Sequence, residues 1–324
     1  MSVHSSFISG SIPYKLYKEG DELFCHWLDV NGTRFREPFF DETILRCRAL
    51  PQNQHRHKCV SQVSELPGWA ADISAIAPAA IIFHVSRCGS TMLTQLLSLN
   101  EQNIVLPEVP FFDELLRLQY QQEVVSTSTA DEYLQAAVKF YGQPKNGQEQ
   151  HLFIKTDCWH ILFWERWRKL YPGVPFILLY RSPDEVVRSQ QKRQGIQAVP
   201  GMLELAMFGI AAEQIRYHDF GHYFSMVLEK LYTKFLQVAQ EDEQAILINY
   251  KDGMIPAVKR IAAAGNMELA NELLEKKTER TRYHAKYPEQ SFGGDSKPTV
   301  ELPDLSACNK LYEQIEEIRM SIRQ

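Results

Sequence analysis

From residue 79 onward the chain repeats one unit: a short apolar run, a turn, then residues spaced for a helix. Runs at 80–85, 103–106, 152–155, 176–180 and 245–249 are nearly continuous in apolar side chains, as strands covered on both faces are. Between them, residues 130–141, 159–170 and 224–240 carry helical spacing. That alternation predicts an α/β fold in which a central parallel sheet lies between layers of helices. With 324 residues, 44% hydrophobic and 23% charged, the chain can bury a sizeable core. This composition excludes a disordered tail, a collagen-like fibre and a membrane bundle. Residues 305–323 predict an amphipathic closing helix. Its polar face carries Glu313, Glu316 and Glu317 rather than a basic stripe, which argues against membrane attachment.

Residues 1–77 read differently, as a small β extension ahead of an α/β domain spanning 78–324. Two strands, 22–30 and 33–37, flank Asn31-Gly32, a dipeptide that accepts the positive φ angles of a two-residue hairpin. The polar stretch 51–67 predicts a strand edge; its His55, His57 and Cys59 lack a further ligand cluster, so no metal is expected. The six cysteines are widely spaced, without a Cys-x-x-Cys pair, and are expected as free thiols in a reducing compartment. Residues 1–17 contain no signal-peptide core, and the longest apolar stretch, 79–85, is too short to cross a bilayer. A soluble, cytoplasmic protein follows. The formal net charge of −5 disfavours nucleic acid as a partner. Oligomeric state is not legible.

Two segments carry the chemistry. In Ile81-Ile-Phe-His-Val-Ser-Arg-Cys-Gly-Ser-Thr-Met-Leu93 an apolar strand enters a turn at Gly89, and Leu93, Leu96 and Leu97 then recur at helical spacing. A strand, a turn and a helix start form an anion trap, because backbone N–H groups and the positive helix end converge there. Arg87 adds a permanent charge, Ser90 and Thr91 add hydroxyls, and Gly89 lets a phosphate approach the backbone. The nucleotide-kinase pattern G-x-x-x-x-G-K-[ST] is not met: its first Gly is missing and Ser90 stands at its Lys position. In the second segment, Phe176 to Ser189, a buried strand delivers Arg181 to another helix start. Ser182 as N-cap, Pro183 at the first helical position and Glu185 three residues after the cap predict a capping box. Ser189 falls about 9 Å further along the helix axis, within convergence of an extended Arg181.

Ser86-Arg-Cys-Gly-Ser-Thr-Met-Leu93 resembles the phosphosulfate-binding loop of the sulfotransferase family. The Arg181–Ser189 pair is similar to that family's 3′-phosphate element, an Arg and a Ser eight residues apart around an acidic, Pro-containing turn. The resemblance covers roughly residues 79–254. It implies a P-loop NTPase-like domain that binds 3′-phosphoadenosine 5′-phosphosulfate (PAPS) through Arg87, Cys88, Gly89, Ser90, Thr91, Arg181 and Ser189. The implied reaction transfers a sulfuryl group to a hydroxyl or amine acceptor, on a small molecule or a side chain, without an obligatory metal. By the same resemblance Arg87 is the electrostatic group at the bridging oxygen, and Lys155 matches the lysine near the transferred group. Glu108 and Asp157 are the two candidate bases, with Glu108 preferred because an Asp at position 157 departs from the His of cytosolic members. The element 247–252 resembles a structural Tyr-Glu-Asp element. Residues 293–297 are similar to fragments of a Gly-rich 3′-phosphate segment, with Arg282, Lys286 or Lys297 as its candidate cations. Cys88, inside the anion loop, is a candidate acidic thiol. The rival readings are a Mg²⁺-dependent P-loop kinase or NTPase and a non-enzymatic nucleotide-binding protein.

Overall fold

A computed structural model describes residues 8–54, 58–121, 125–265, 267–283, 285 and 301–322. His55, His57, Lys286 and the 293–297 segment lie outside the described residues. Five strands form the central sheet: β4 (Pro78–His84), β5 (Asn103–Pro107), β6 (His151–Lys155), β7 (Phe176–Tyr180) and β8 (Ala245–Asn249). All pair in parallel, in the spatial order β5-β6-β4-β7-β8. The five strands expected from sequence thus exist within two residues at each end. Every residue of β5 and β7 is buried, so the apolar runs are apolar because helices cover both faces.

The helices among the described residues, in chain order, are α1 (Phe40–Arg48), α2 (Leu66–Ala71), α3 (Ser90–Ser98), α4 (Pro110–Gln121), α5 (Thr127–Tyr141) and α6 (Trp164–Leu170). They continue with α7 (Pro183–Lys192), α8 (Leu205–Phe208), α9 (Phe220–Glu241), α10 (Met254–Ala264), α11 (Asn271–Arg280) and α12 (Ser306–Ile322). The stretch expected as one helix over 159–170 is divided: Cys158–Phe163 is a 3₁₀ turn, and only Trp164 onward is α-helical. β4 sits at the centre with β6 on one side and β7 on the other. Successive connections therefore leave it in opposite directions, which opens a crevice beyond its C-terminal end.

The N-terminal sheet corrects the sequence expectation. Its hairpin joins β1 (Ser11–Glu19) to β2 (Glu22–Asp29), and a third, edge strand β3 (Val60–Gln62) follows. The two-residue loop is Gly20-Asp21, with Gly20 at φ +61°. Residues 33–37 are not a strand. Asn31-Gly32 is a turn that leads out of the sheet toward α1. β1 escaped detection because Tyr14, Lys15, Tyr17 and Lys18 mask its alternation. The small sheet rests on α5: Trp27 meets Phe140 edge-to-face with ring centroids 4.9 Å apart, and Tyr141 Oη donates to Pro13 O at 2.6 Å. Leu16 N–H donates to Glu114 on α4 at 2.7 Å. Leu16 is half-exposed there, and burial raises the Glu114 carboxyl to about 7.

No helix among the described residues is long and apolar enough to cross a membrane. The expected closing helix is α12, and its glutamates are not all solvent-facing. Glu316 accepts from Asn249 Nδ2 at 3.0 Å and from Arg319 Nε at 2.7 Å, and it also takes Tyr180 Oη and Lys251 Nζ. Arg319, 3% exposed, reaches on to Asp252 at 2.8 Å. This cluster fixes the ends of β7 and β8 to α12. Glu316→Ala removes one side of a buried ion pair and is expected to cost about 3 kcal/mol of unfolding free energy, read from urea denaturation.

Candidate functional site

Each parallel strand ends on the same side of the sheet and hands over a residue there. Arg87 follows β4, Glu108 follows β5, Asp157 follows β6, Arg181 follows β7 and Tyr250 follows β8. All five border one cavity of about 840 Å³. Ser86, Arg87 and Glu108 have φ of +68°, +49° and +54°, and they are the non-glycine residues with positive φ among those described. Such backbone costs of order 1–3 kcal/mol per residue and persists only where neighbours over-determine it.

The neighbours at the β4–α3 loop are visible. Ser86 N–H donates to His84 Nδ1 at 3.1 Å, and Ser86 Oγ accepts from both Gln190 Nε2 and Gln197 Nε2 at 3.0 Å. Arg181 Nη1 donates to Arg87 O at 3.1 Å, and the Arg87 guanidinium donates to Arg193 O. Gly89 then caps α3 in the left-handed region at φ +83°, and Gly89, Ser90 and Thr91 line the cavity. Glycine is required there for two reasons. Its φ disfavours other residues, and an added Cβ would stand 2.8 Å from the Tyr250 ring. Cys88 turns inward instead: it is fully buried and donates to Leu179 O at 3.3 Å. Burial pushes its thiol up to about 12, which overturns the expectation of an acidic cysteine.

Arg181 is 7% exposed, with its guanidinium 4.4 Å from the centroid of the Tyr250 ring. Glu185 is a carboxylate neighbour, Nε to Oε2 at 3.3 Å. The capping box differs from expectation, since Ser182 Oγ donates to Glu185 Oε2 at 2.8 Å and no side-chain cap forms at that helix start. Ser189, Lys192 and Arg193 also border the cavity. Their i, i+3, i+4 spacing sets them on one face of α7 and its end. That spacing was readable in the sequence, but only Ser189 was singled out.

Glu108 and Lys155 form a direct ion pair, with Lys155 Nζ 1% exposed and 5.5 Å from the Phe39 ring centroid. Lys155 therefore pairs with Glu108 and not with Asp157. His84 Nε2 lies 3.3 Å from Glu108 Oε1 and 3.0 Å from Thr156 O. Since Nδ1 accepts from Ser86, Nε2 carries the ring proton. Burial alone would raise the Glu108 carboxyl, but the Lys155 charge and the hydrogen bonds from His84 and Lys155 outweigh it and hold Glu108 near 2. Asp157 behaves oppositely. Burial, followed by the neighbouring charges of Glu108, Asp113 and Asp41, raises it well above the usual carboxylate range, and Lys155 only partly offsets them.

Asp113, Asp157 and His160 bring candidate ligand atoms within 4.8 Å of one another. Asp113 Oδ1 is taken by Trp159 Nε1 at 2.7 Å and His160 Nε2 at 2.9 Å, and its Oδ2 by Arg117 Nη1 at 2.6 Å. A divalent cation would have to displace a guanidinium there, so the cluster reads as an internal hydrogen-bonded network.

Sequence reasoning missed Tyr250, placed in a structural element, and Phe39 and Asp41, which reach the cavity from the N-terminal region. Arg282 lies on the exposed end of the segment whose Thr281 and Ala285 border the cavity.

No protein-family model and no curated relative matches the chain. Among solved structures it is similar to sulfotransferase STF9 from Mycobacterium avium, at 12% identity over 78% of each chain with a TM-score of 0.46. It is similar to sulfotransferase STF1 from Mycobacterium tuberculosis at 13% identity, over 67% of this chain and 75% of that one, TM-score 0.38. Mouse sulfotransferase SULT7A1 complexed with PAP matches at 12% identity, over 70% of this chain and 74% of that one, TM-score 0.37.

Gly89→Ala combines the left-handed penalty with the Tyr250 clash. It is expected to destabilise the fold by about 1–3 kcal/mol, measurable as a lowered denaturation midpoint at unchanged slope.

Proposed function

We propose that this protein is a sulfotransferase that moves a sulfuryl group from PAPS to a hydroxyl or amine acceptor. The observation that carries the reading is the meeting of two distant segments. The loop bearing Arg87, Gly89, Ser90 and Thr91 and the strand end bearing Arg181 and Ser189 border one cavity, and each resembles a different part of a phosphosulfate site. The start of α3 and Arg87 suit the phosphosulfate, and Arg181 with Ser189 suits the 3′-phosphate. Tyr250 is an aromatic wall between them. The cavity's volume accommodates the donor with part of an acceptor.

The carboxylates lie beyond the loop, and their proton affinities separate their roles. In the proposed reaction the acceptor oxygen or nitrogen bonds to sulfur, the sulfur–phosphate oxygen bond breaks, and the acceptor's proton passes to a carboxylate. Glu108, ionised down to about pH 2 by Lys155, is a weak base. Asp157, with its raised affinity and its place on the cavity wall, is the better proton acceptor, because a carboxylate that holds a proton more tightly is the stronger base. We therefore assign Asp157 as the base and Glu108 as the group that holds Lys155. Arg87 stabilises the charge that builds on the leaving oxygen, a role a permanent cation fills without proton transfer.

Donor binding is tested by thermal shift. Adenosine 3′,5′-bisphosphate at a hundredfold its dissociation constant should stabilise the protein by about 2.7 kcal/mol. ATP with Mg²⁺ giving the larger shift would favour a kinase or NTPase. Arg181→Ala is expected to weaken bisphosphate binding roughly tenfold to a hundredfold, the worth of a charge-assisted contact. Full affinity in that variant would refute the site.

The acid–base assignment gives a signed pH prediction. Activity should be lost as pH falls through the Asp157 pKa, so the acid limb of kcat should lie above the ordinary carboxylate range. Asp157→Asn should lower kcat by about 10²–10⁴-fold with donor affinity preserved. Glu108→Gln leaves a buried ammonium without its counter-ion and should cost about 3 kcal/mol of stability, as a denaturation curve would show.

A further inference from the structure

Asp157 is held by a chain of hydrogen bonds that runs behind the cavity wall. Its backbone N–H donates to His160 Nδ1 at 3.2 Å, and its backbone carbonyl accepts from the backbone N–H of His160 at 3.0 Å. A ring nitrogen that accepts carries no proton, so the proton of the neutral imidazole sits on Nε2. That nitrogen donates to Asp113 Oδ1 at 2.9 Å and lies 3.7 Å from Asp157 Oδ2. Arg117 closes the other side of Asp113 and grips Glu204 with two bonds, Nε to Oε2 and Nη2 to Oε1, each 2.8 Å.

The two ends of this chain lie in telling places. Glu204 stands immediately before α8, in the segment that includes the cavity-lining residues Ile196 and Gln197. Trp159, itself on the cavity wall, donates to the same Asp113 oxygen as His160. Anything that shifts the 196–204 segment or the Trp159 indole moves the carboxylate that orients His160.

We propose that Asp113 and His160 are positioning residues for Asp157, and that the Arg117–Glu204 contact ties this positioning to the seating of the 196–204 segment, whose Ile196 and Gln197 line the cavity. The proposal rests on the reading of Asp157 as the base. A purely structural ion pair would hold the helix and leave Asp157 unaffected, so the proton affinity of Asp157 separates the two. The charged and titratable groups around it are Glu108 after β5, Lys155 on β6, Asp41 on α1, Asp113 on α4, and Cys158 and His160 in its own turn. Lys155 is committed to Glu108, so Asp113 acts on Asp157 as a like charge, tempered by Arg117 behind it.

The experiment is titration of the Asp157 carboxyl by carbon-13 NMR on the full-length protein, its resonance assigned by loss in Asp157→Asn. Asp113→Asn should lower the Asp157 pKa by about one unit, and Arg117→Gln should raise it. The opposite signs follow from removing an anion in one case and a cation in the other. Asp113→Glu should restore the native titration. In the sulfuryl-transfer assay the asparagine and glutamine variants should lose about tenfold in kcat with donor affinity unchanged. An Asp157 titration identical to wild type in either variant that folds would overturn the proposal. Should both fail to fold, a Glu204→Gln variant whose Asp157 resonance and acceptor KM are unchanged would overturn it, and a shift in both would support it. Absence of transfer to any acceptor by the wild-type protein would sink the sulfotransferase reading, whereas the NMR titration decides the positioning of Asp157 without turnover.

Discussion

Parallel strand pairing is the constraint on which everything at the site depends. β4 is hydrogen-bonded to β6 through Ile81–Ile154 and to β7 through Ile82–Ile177, and that register sets three strand ends level. Arg87 and Arg181, 94 residues apart in sequence, become neighbours joined by a 3.1 Å hydrogen bond. Antiparallel pairing would send alternate strand ends to opposite sides and disperse the same residues. The apolar character of the strands is thus a functional requirement. A sheet with both faces covered can only pair this way through long crossovers, and those crossovers gather its loops into one crevice.

Positive φ at Ser86, Arg87 and Glu108 shows where that arrangement stores strain. Ser86 and Glu108 are held by partners that are themselves buried. Gln190 and Gln197 grip the Ser86 hydroxyl, and Lys155 and His84 grip the Glu108 carboxylate, whose backbone N–H also donates to Lys155 O at 2.7 Å. Gln190 in turn receives the Gly195 N–H at 2.8 Å. The strained loop, the end of α7 and the segment after it therefore form one hydrogen-bonded body, and the geometry of the proposed anion site is held by the protein's own contacts.

The sheet was largely legible because its signal is local: a continuous apolar run can be read without knowing its neighbours. The two anion segments were legible for the same reason, each compressing a strand, a turn and a helix start into adjacent residues. What failed was what depends on distant partners. Glu108 and Lys155 lie 47 residues apart with no local sign of pairing, and the β5–β6 register sets them side by side. Cys88 sits in a cationic loop, but the side chain points into the core and desolvation dominates. Tyr250 gave no sequence sign of its contact with Gly89 and Arg181, because that contact exists only when β8 lies against β7. In the N-terminal region Asn31-Gly32 carried the stronger turn signal, and the chain formed its hairpin at Gly20-Asp21, where burial of Leu23, Cys25 and Trp27 rewards the pairing with β1.

The ion pairs of the cavity divide into exchangeable and fixed ones, and the division matches the proposed chemistry. Arg181 meets Glu185, a carboxylate whose side chain is 47% exposed. When a phosphate takes the guanidinium, that carboxylate returns to water at little cost, since a half-exposed pair contributes at most about 1 kcal/mol. Glu108 has no such freedom. Its partner Lys155 is 1% exposed, and separating them would strand a buried ammonium, which costs several kcal/mol. On the proposed reading, a donor would displace the acidic partner of Arg181 but not that of Lys155. This leaves Asp157, whose carboxylate faces like charges rather than a committed cation, as the cavity group with proton affinity to spare for the proposed transfer.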